Sequence, residues 1–558
     1  MYAKAADERK KDFKPTVCMP DGRKKRDELN IKIRRDKKDA NIRRRRMGAL
    51  CKSDNIDSLP VESTHVEQDI ENAMNTLARN SATKEESLSA IKYIRKIVSA
   101  QNPDNGLVNF VVRAGLVPLL LGILKHQPEK PIDLIAEAIL TLTFILTLGG
   151  NASLGIEKIV ETIAPLIHHD HSEVRTQAAW CLGNIASEND SYRNWLIRQH
   201  VIVTGLIRNV AEPQNMEVLE AVLWTMSVLC GCKVSFVIIR SMILPVCELV
   251  LHHFFELPLD VLIYAVETIM HLSDGNSDQI QAVMDSGITP VLVRLLKGDL
   301  PLIKEKSWPL TARVLRCLGN FTTGTEEQTQ QVIDAGALAH IGAVINSGSV
   351  QAQKEACWLV SNIAAGTHAQ ISDLIKAKNI LRPVALKAYQ SEAVIRHEAL
   401  YAVANICNRG GKAHVQTIVE FDGLRALASF VDGSSDAALL VEVLNAINRV
   451  LEVGQTETWL EYETYFEQYD GIDRLEGLAN SHPSPEIFNL AARILDRFFP
   501  SDDALDENLV PDQSSESPFS PREVRKKLKF DAQSPRANLS FGFSNKGNPP
   551  FGTKSRNV

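Results

Sequence analysis

The 558-residue chain lacks the signatures of the common enzyme and metal-binding classes. It has no GxxxxGK phosphate loop, no GxSxG nucleophile elbow and no HExxH zinc helix. Its nine cysteines form no CxxC pair, and no nucleophile stands beside a candidate base. His168, His169 and His171 are read as a solvated turn, and Cys230 with Cys232 as packed thiols. We therefore expect no enzymatic activity, no cofactor and no bound metal.

Long apolar runs are also missing. No stretch offers about 18 uninterrupted apolar residues, the length that a membrane span requires. The first fourteen residues, MYAKAADERKKDFK, lack the apolar centre of a secretory signal. We expect a soluble protein of a reducing compartment that does not associate with membranes.

Charge is unevenly distributed along the chain. The formal net charge is only -6, but residues 1–52 hold 19 Lys and Arg against 8 Asp and Glu. This segment carries +11, and the remainder therefore carries -17. Such opposed blocks indicate either a nucleic-acid-binding arm on an acidic body or a basic arm that docks onto a protein surface.

The basic arm has the pattern of a helix that folds on binding. Arg23 to Arg46 contains neither Gly nor Pro, which permits one helix of about six turns. Its few apolar residues cannot order it alone. Basic clusters at Arg23 to Arg26 and Arg43 to Arg46 bracket it, and interspersed acids such as Asp36 would repel a phosphate backbone. This favours a protein surface as the partner; a solvated tail is the alternative.

The body of the chain is a repeat. Strings such as QAAWCLGNIAS and KEACWLVSNIAAG recur at a mean spacing of about 44 residues, in the range of HEAT and armadillo units. A second string ends one helix, turns at Gly115, Gly287, Gly336 or Gly423, and begins another. One position in each copy defines what we call the ladder positions: Leu140, Trp180, Trp224, Glu267, Arg316, Trp358, Tyr401 and Asn445. The pattern predicts an all-α, right-handed superhelical armadillo-repeat solenoid, with a flexible basic N-terminal arm and a disordered C-terminal tail.

Two copies pair the ladder Trp with an Asn four residues later, Trp180 with Asn184 and Trp358 with Asn362. Residues i and i+4 share one helical face, so stacked repeats would align these pairs along an extended peptide. The Asn amide would bond the peptide backbone, and slots between parallel Trp rings would take Lys or Arg stems. Nearby carboxylates would complete the recognition of positive charge: Glu188, Glu326, Glu355 and Glu398. The alternative is that the pairs merely pack between repeats.

The body resembles the armadillo domain of the importin-α (karyopherin-α) family, and RKKDFK with RKKRDELNIKIRRDKKDANIRRRR resembles that family's importin-β-binding segment. The similarity covers residues 9 to about 500. It implies a nuclear import adaptor that shuttles between cytoplasm and nucleus. Its groove would bind basic nuclear localisation signals, and the C-terminal end of its solenoid an export receptor of the CAS type.

The resemblance implies two cargo sites, of which the major one is eroded. Leu140 and Phe144 replace the first pair, and Val228 follows Trp224 in the third. In the fourth repeat Glu267 and His271 stand where the family has aromatic residues, with Tyr264 near an expected acid. The residues that remain for the major site are Gln177, Trp180, Asn184, Glu188 and Trp224.

The minor site is largely present, so we expect cargo affinity to lie mainly there. Its implied residues are Arg316, Asn320, Glu326, Glu355, Trp358, Asn362, Glu398, Tyr401 and Asn405.

The arm carries the residues that the resemblance assigns to importin-β binding and to autoinhibition: Arg9, Lys10, Lys11, Phe13, Arg23, Lys24, Lys25, Arg26, Leu29, Arg34, Arg35, Lys37, Lys38, Arg43, Arg44, Arg45 and Arg46. Without importin-β, the cluster Arg43 to Arg46 would occupy the groove as a tethered mimic of cargo.

We divide the chain into a basic arm at 1–52, a linker at 53–80, a solenoid of about ten repeats at 81–500, and a tail at 501–558. The tail is rich in Ser, Pro, Asn and Gly, which predicts disorder. Ser-Pro pairs at Ser517, Ser520 and Ser534 flank KKLKF, which resembles a cyclin-docking sequence. FG motifs at Phe541 to Phe543 and at Phe551 make nucleoporins a further candidate partner.

Two other functions fit the sequence less well than the adaptor. A β-catenin-like armadillo scaffold would give no reason for the basic arm. A nucleic-acid-binding solenoid should have a basic body, not one of -17. The adaptor explains both blocks of charge, so we expect no direct binding of nucleic acid.

Overall fold

A computed structural model describes residues 66–79, 81–99, 106–125, 130–148, 155–232, 235–297, 307–432, 436–456 and 461–500. Within these ranges the chain is α-helical with short turns and contains no strand, which confirms the all-α prediction. The basic arm, its Arg clusters and the predicted disordered tail lie outside the described residues.

The helices follow one another with short connections. The first nine are α1 Val66–Ala78, α2 Lys84–Ser99, α3 Gly106–Arg113, α4 Leu116–Lys125, α5 Ile132–Leu148, α6 Ile156–Ile163, α7 Ser172–Glu188, α8 Asp190–Leu196 and α9 His200–Ala211. The next nine are α10 Met216–Cys230, α11 Phe236–His253, α12 Leu259–Leu272, α13 Ser277–Met284, α14 Thr289–Lys297, α15 Trp308–Phe321, α16 Glu326–Asp334, α17 Leu338–Ser347 and α18 Val350–Ala364. The last nine are α19 His368–Lys376, α20 Leu381–Gln390, α21 Ala393–Arg409, α22 Lys412–Glu420, α23 Gly423–Ala428, α24 Ala437–Gly454, α25 Tyr462–Gln468, α26 Gly471–Ser481 and α27 Pro485–Phe498.

Ten of these helices form one row, each packed against the next. We call them the H3 helices, since each is the last helix of its repeat: α2, α5, α7, α10, α12, α15, α18, α21, α24 and α27. The eight ladder positions all lie on H3 helices. Neighbours enclose most of an H3 helix, and α21 is therefore buried almost continuously from Glu398 to Cys407. The row is the scaffold on which a candidate site is built.

A helix precedes the predicted start of the solenoid at residue 81. Helix α1 lies within residues 53–80, which the sequence predicted to be a linker. Its Ile70 and Met74 are buried, and Tyr93 on α2 donates a hydrogen bond from its hydroxyl to Asp69 at 3.4 Å. Packed helical structure therefore precedes residue 81, where the solenoid was predicted to begin.

Left-handed residues make the turn between the two shorter helices of a repeat. Gly115, Gly287 and Gly336 have φ near +80° to +90°, as the recurring Gly predicted. In the string VEFDGLRALASFV the turn residue is Asp422, with φ +65°, whereas Gly423 begins α23. Asp tolerates this conformation through its short polar side chain. Gly423 has a different role, because a Cβ there would lie 2.6 Å from the carbonyl oxygen of Ile418.

One repeat has no such turn. Its segment FVIIRSMILPVCELVLHH contains no Gly, Asn or Asp, and it forms the single 18-residue helix α11. By length and composition α11 is apolar enough to cross a membrane, with a mean hydropathy of 1.5. In the repeat, however, its Met242, Ile243, Val246 and Val250 are buried in the core. About 39% of α11 is buried, and the helix takes the place of the two shorter helices found in other repeats.

Candidate functional site

The two Trp residues of the predicted major site contact each other. Their ring centroids lie 4.7 Å apart, with the planes tilted by 40°. An alkyl stem between two rings needs about 7 Å, since carbon atoms touch at about 3.5–4.0 Å on each side. The prediction of an open slot between parallel rings is therefore wrong for Trp180 and Trp224. Trp224 is 5% exposed, and Trp180 is half-buried.

The amide of Asn184 is buried beside this pair. Its Nδ2 donates to the carbonyl oxygen of Trp180 at 2.7 Å, whereas its Oδ1 has no hydrogen-bond partner. Gln177, two turns earlier on α7, also buries an unpaired Oε1. Two buried acceptors without donors cost stability. A peptide backbone could supply such donors if it reached these oxygens.

Three other ladder amides join neighbouring repeats. Nδ2 of Asn320 donates to the carbonyl oxygen of Met270 at 2.9 Å, and Nδ2 of Asn362 to that of Gly319 at 3.1 Å. Nδ2 of Asn405 donates to the carbonyl oxygen of Ser361 at 2.9 Å. Each acceptor belongs to the preceding H3 helix. These amides pack between repeats, the alternative that the sequence left open.

A cation occupies the face of Trp358. The Arg316 guanidinium carbon lies 4.5 Å from the Trp358 ring centroid, and its Nη1 is 3.3 Å from Oε2 of Glu355. Burial opposes the charge on Arg316, but Glu355 and Asp274 outweigh it, so the pKa of Arg316 is raised. A ladder aromatic and the Glu three residues before it thus hold a guanidinium together.

Glycine permits the close approach of Trp224 and of Trp358 to the preceding H3 helix. A Cβ on Gly183 would lie 2.3 Å from Cζ3 of Trp224, and a Cβ on Gly319 would lie 2.2 Å from Cζ3 of Trp358. The recurring Gly-Asn dipeptide therefore has two roles. The Gly leaves room for the Trp ring of the following H3 helix. The Asn supplies the side-chain amide four residues after the ladder position.

A second ion pair lies in the middle of the row. Nη2 of Arg313 is 3.1 Å from Oε2 of Glu267, and both side chains are largely buried. Glu267, which replaces a ladder aromatic, is therefore neutralised within the protein. Leu140 and Phe144, which replace the first pair, are 5% and 2% exposed and belong to the core.

The remaining predicted carboxylates differ in burial. Glu188 and Glu326 are exposed, and Glu326 begins α16 rather than an H3 helix. Glu398 and Tyr401 lie within α21 and are 8% and 4% exposed.

A polar cleft of about 440 Å³ adjoins Asn405. Its lining is Gly366, Thr367, His368, Asn405, Asn408, Arg409 and Glu442. Sequence reasoning missed Glu442, although it stands three residues before the ladder position Asn445, as Glu355 and Glu398 stand before Trp358 and Tyr401. That spacing was the signal that could have found it.

The described residues provide no metal site. They contain no group of three or more His, Cys, Asp and Glu placed to hold an ion. Burial raises the pKa of the Cys181, Cys230 and Cys247 thiols to about 12. These thiols are inert packing groups, as the sequence predicted for Cys230.

Three family models match the chain. An importin beta binding domain matches residues 9–107, armadillo/beta-catenin-like repeats match 153–187 and 325–365, and an atypical Arm repeat matches 461–512. Importin subunit alpha-8 of Arabidopsis thaliana is 27% identical over 73% of this chain and 88% of its own length. Importin subunit alpha-3 of the same plant is 28% identical over 90% of this chain and 94% of its own. The chain is thus similar to importin-α proteins over most of its length, with the importin beta binding domain and the armadillo repeats in that order.

The importin beta binding domain and the importin-α relatives support a role as a nuclear import adaptor. A crystal structure of an engineered protein supports the fold alone, with a TM-score of 0.63 and 21% identity over 77% of this chain and 98% of that one. The domain match ends at residue 107, beyond the arm predicted at 1–52, so it takes in α1 and α2. The arm residues predicted to bind importin-β lie outside the described residues.

Proposed function

We propose that this protein binds basic nuclear localisation signals along the face of the H3 helices that carries the ladder positions, which we call the ladder face. The arm then links the cargo to importin-β and, without importin-β, occupies the same face. The contact of Arg316 with Trp358 and Glu355 is the observation that carries the proposal. It is a guanidinium held by an aromatic ring and a carboxylate, which is the chemistry that a basic cargo residue would use.

The minor site is the better candidate for cargo. The Trp358 ring packs directly against Gly319 of the preceding H3 helix. On the next H3 helix, Tyr401 and Glu398 repeat the combination of an aromatic ring and a carboxylate. Asn320, Asn362 and Asn405 fix the spacing of four H3 helices through their cross-repeat bonds. Such a rigid row presents equivalent side chains at regular intervals to an extended peptide.

The major site is the poorer candidate, because Trp180 and Trp224 fill the space between them. Cargo would have to separate two contacting rings before it could use the site. Opening the site would cost about 0.5–1.5 kcal/mol of aromatic contact in addition to the burial of ring surface. We therefore assign primary affinity to the minor site.

Charge complementarity supports the arm as a competitor of cargo. Residues 1–52 carry +11 and the remainder -17. Tethering gives the cluster Arg43 to Arg46 a high effective concentration at the ladder face. Importin-β, by binding the arm, would free the ladder face for cargo. We assign the last repeats to an export receptor of the CAS type and the cellular distribution to shuttling between cytoplasm and nucleus.

Paired substitutions at the two sites test the proposal. Trp358→Ala with Asn362→Ala should weaken binding of a labelled basic peptide about 10- to 100-fold, because it removes the Trp358 ring and the Asn362 hydrogen bond that holds α18 against α15. Trp180→Ala with Asn184→Ala removes the same residue types from the major site. It should lower peptide affinity fivefold or less, because the closed rings offer at most a weak cation–π contact to the peptide. Fluorescence anisotropy with the full-length chain measures both. The reverse order of losses would refute the assignment to the minor site.

A further inference from the structure

Glu442 and the cleft around it extend the minor site by one repeat, an inference that rests on the proposed function. We propose that they form a subsite for an additional arginine of the cargo. The cleft holds about 440 Å³ and adjoins Asn405, the last amide of the predicted site. Its lining is polar, with two amides, a hydroxyl, an imidazole, a guanidinium and one carboxylate.

The H3 helices repeat one arrangement for holding a guanidinium. On α18, Glu355 stands three residues before Trp358 and binds Arg316 of the preceding H3 helix at 3.3 Å. On α5, Glu137 stands three residues before Leu140 and binds Arg95 of the preceding H3 helix. There the distances are 2.7 Å from Nε to Oε2 and 3.5 Å from Nη2 to Oε1. In both cases a Glu at this position receives an arginine from the side of the preceding repeat.

Helix α5 shows that the arrangement does not require an aromatic residue. Leu140 stands at its ladder position, and yet Arg95 and Glu137 form a two-point contact with side chains 9% and 13% exposed. Asn445 at the ladder position of α24 is therefore no obstacle to cation binding by Glu442. Because both internal ligands are arginines that meet a carboxylate, arginine is the side chain that the subsite favours over lysine.

The neighbours of Glu442 position its carboxylate. Nδ2 of Asn408 donates to the Glu442 carbonyl oxygen and to its Oε2, both at 3.2 Å. Asn408 and Asn405 lie one turn apart on α21, so the cleft continues the ladder face toward α24. A basic residue bound beside Tyr401 and Glu398 would have its neighbour in the peptide directed toward this cleft.

Arg409 also lines the cleft, and its positive charge limits the strength of the subsite. With Arg409 competing for Glu442, an added cargo arginine is expected to raise peptide affinity by about three- to fivefold, as a partly exposed ion pair would. Arg409→Gln should therefore increase the preference for arginine, whereas Glu442→Gln should remove it.

The test compares peptides on the full-length chain. Each peptide carries one Lys-Arg pair and, two or three residues away at either end, Arg, Lys, Ala or Glu. This spacing matches H3 helices about 8–10 Å apart and an extended peptide rising about 3.3–3.6 Å per residue. The measured quantity is the ratio of the affinities of the Arg and Ala peptides on the same variant, which cancels competition by the arm.

At one of the tested peptide positions, we expect the Arg peptide to bind the wild type about three to five times more tightly than the Ala peptide. The ratio should be near one in Glu442→Gln and above the wild-type value in Arg409→Gln. The Gln variant keeps the oxygen that accepts from Asn408, so only the charge is removed. Glu420, an exposed residue on α22, does not line the cleft, so Glu420→Gln is the matched control and should leave the ratio unchanged.

The outcomes separate this inference from the proposed function. If the peptides bind and the variant Trp358→Ala weakens them, but Glu442→Gln has the wild-type ratio in every register, the subsite is refuted and the minor site stands. Tighter binding of the Glu peptide would also refute it and would indicate that Arg409 reads an acidic residue. If no peptide binds, the proposed function itself fails.

Discussion

Gly319→Ala is the most direct perturbation of the ladder. The new Cβ would lie 2.2 Å from Cζ3, 2.5 Å from Cε3 and 3.2 Å from Cη2 of Trp358. Carbon atoms touch at about 3.5–4.0 Å, so the indole would have to move by about 1.3 Å or more. Trp358 is only 9% exposed and contacts Arg316 on its face, so this movement must disturb the ion pair of Arg316 with Glu355.

The expected loss of stability follows from these distances. Overpacking of a buried site costs about 1–3 kcal/mol. Loss of the contact between Arg316 and Trp358 adds about 0.5–1 kcal/mol. The better helix propensity of Ala offsets about 1 kcal/mol. A net loss of about 0.5–3 kcal/mol in the free energy of unfolding remains, together with a fivefold or greater loss of basic-peptide affinity at the minor site.

Gly122→Ala is the matched control for this substitution. Gly122 also lies inside a helix, α4, but a Cβ there would have no neighbour within 4 Å. It should raise stability by about 0.5–1 kcal/mol and leave peptide binding unchanged. Urea unfolding followed by Trp fluorescence and peptide anisotropy measure both variants. If Gly319→Ala were as stable as Gly122→Ala and bound peptide as the wild type does, Gly319 would not be needed to make room for the Trp358 ring.

Two further predictions concern the arm and pH. Deletion of residues 1–52 should abolish importin-β pull-down and raise affinity for a basic peptide in the absence of importin-β; unchanged affinity would contradict autoinhibition. Burial, and secondarily His368, lower the pKa of His414, whose Nδ1 accepts from the Gly411 amide at 3.1 Å. Because its folded pKa lies below the unfolded value of about 6.5, His414 contributes stability above that pH and loses it as the pH falls through the folded pKa. The difference in stability between the wild type and His414→Gln should therefore shrink between about pH 7.5 and pH 5 in hydrogen exchange of 411–420; a constant difference would contradict the assignment.

The positions of the H3 helices could be predicted from the sequence because the repeat is periodic. A spacing of about 44 residues carries Trp180, Trp358 and Tyr401 to equivalent places, whatever surrounds them. The turns were predictable for the same local reason. Gly115, Gly287 and Gly336 adopt positive φ, and α11 runs without a turn because its segment lacks Gly, Asn and Asp.

Only the tertiary structure decided what the ladder side chains contact. Helical spacing places Trp180 and Asn184 on one face, but it cannot tell that the Trp180 ring tilts onto Trp224 or that Asn362 bonds to Gly319. Those contacts join residues about 43 positions apart, and they depend on how closely two helices approach.

The same distinction holds for charge. The sequence by itself determined that a basic arm precedes an acidic body, since charges add without regard to fold. It could not determine which carboxylates are already paired. Arg316 with Glu355 and Arg313 with Glu267 neutralise each other across repeats, because an ion pair depends on the distance between two atoms and not on composition.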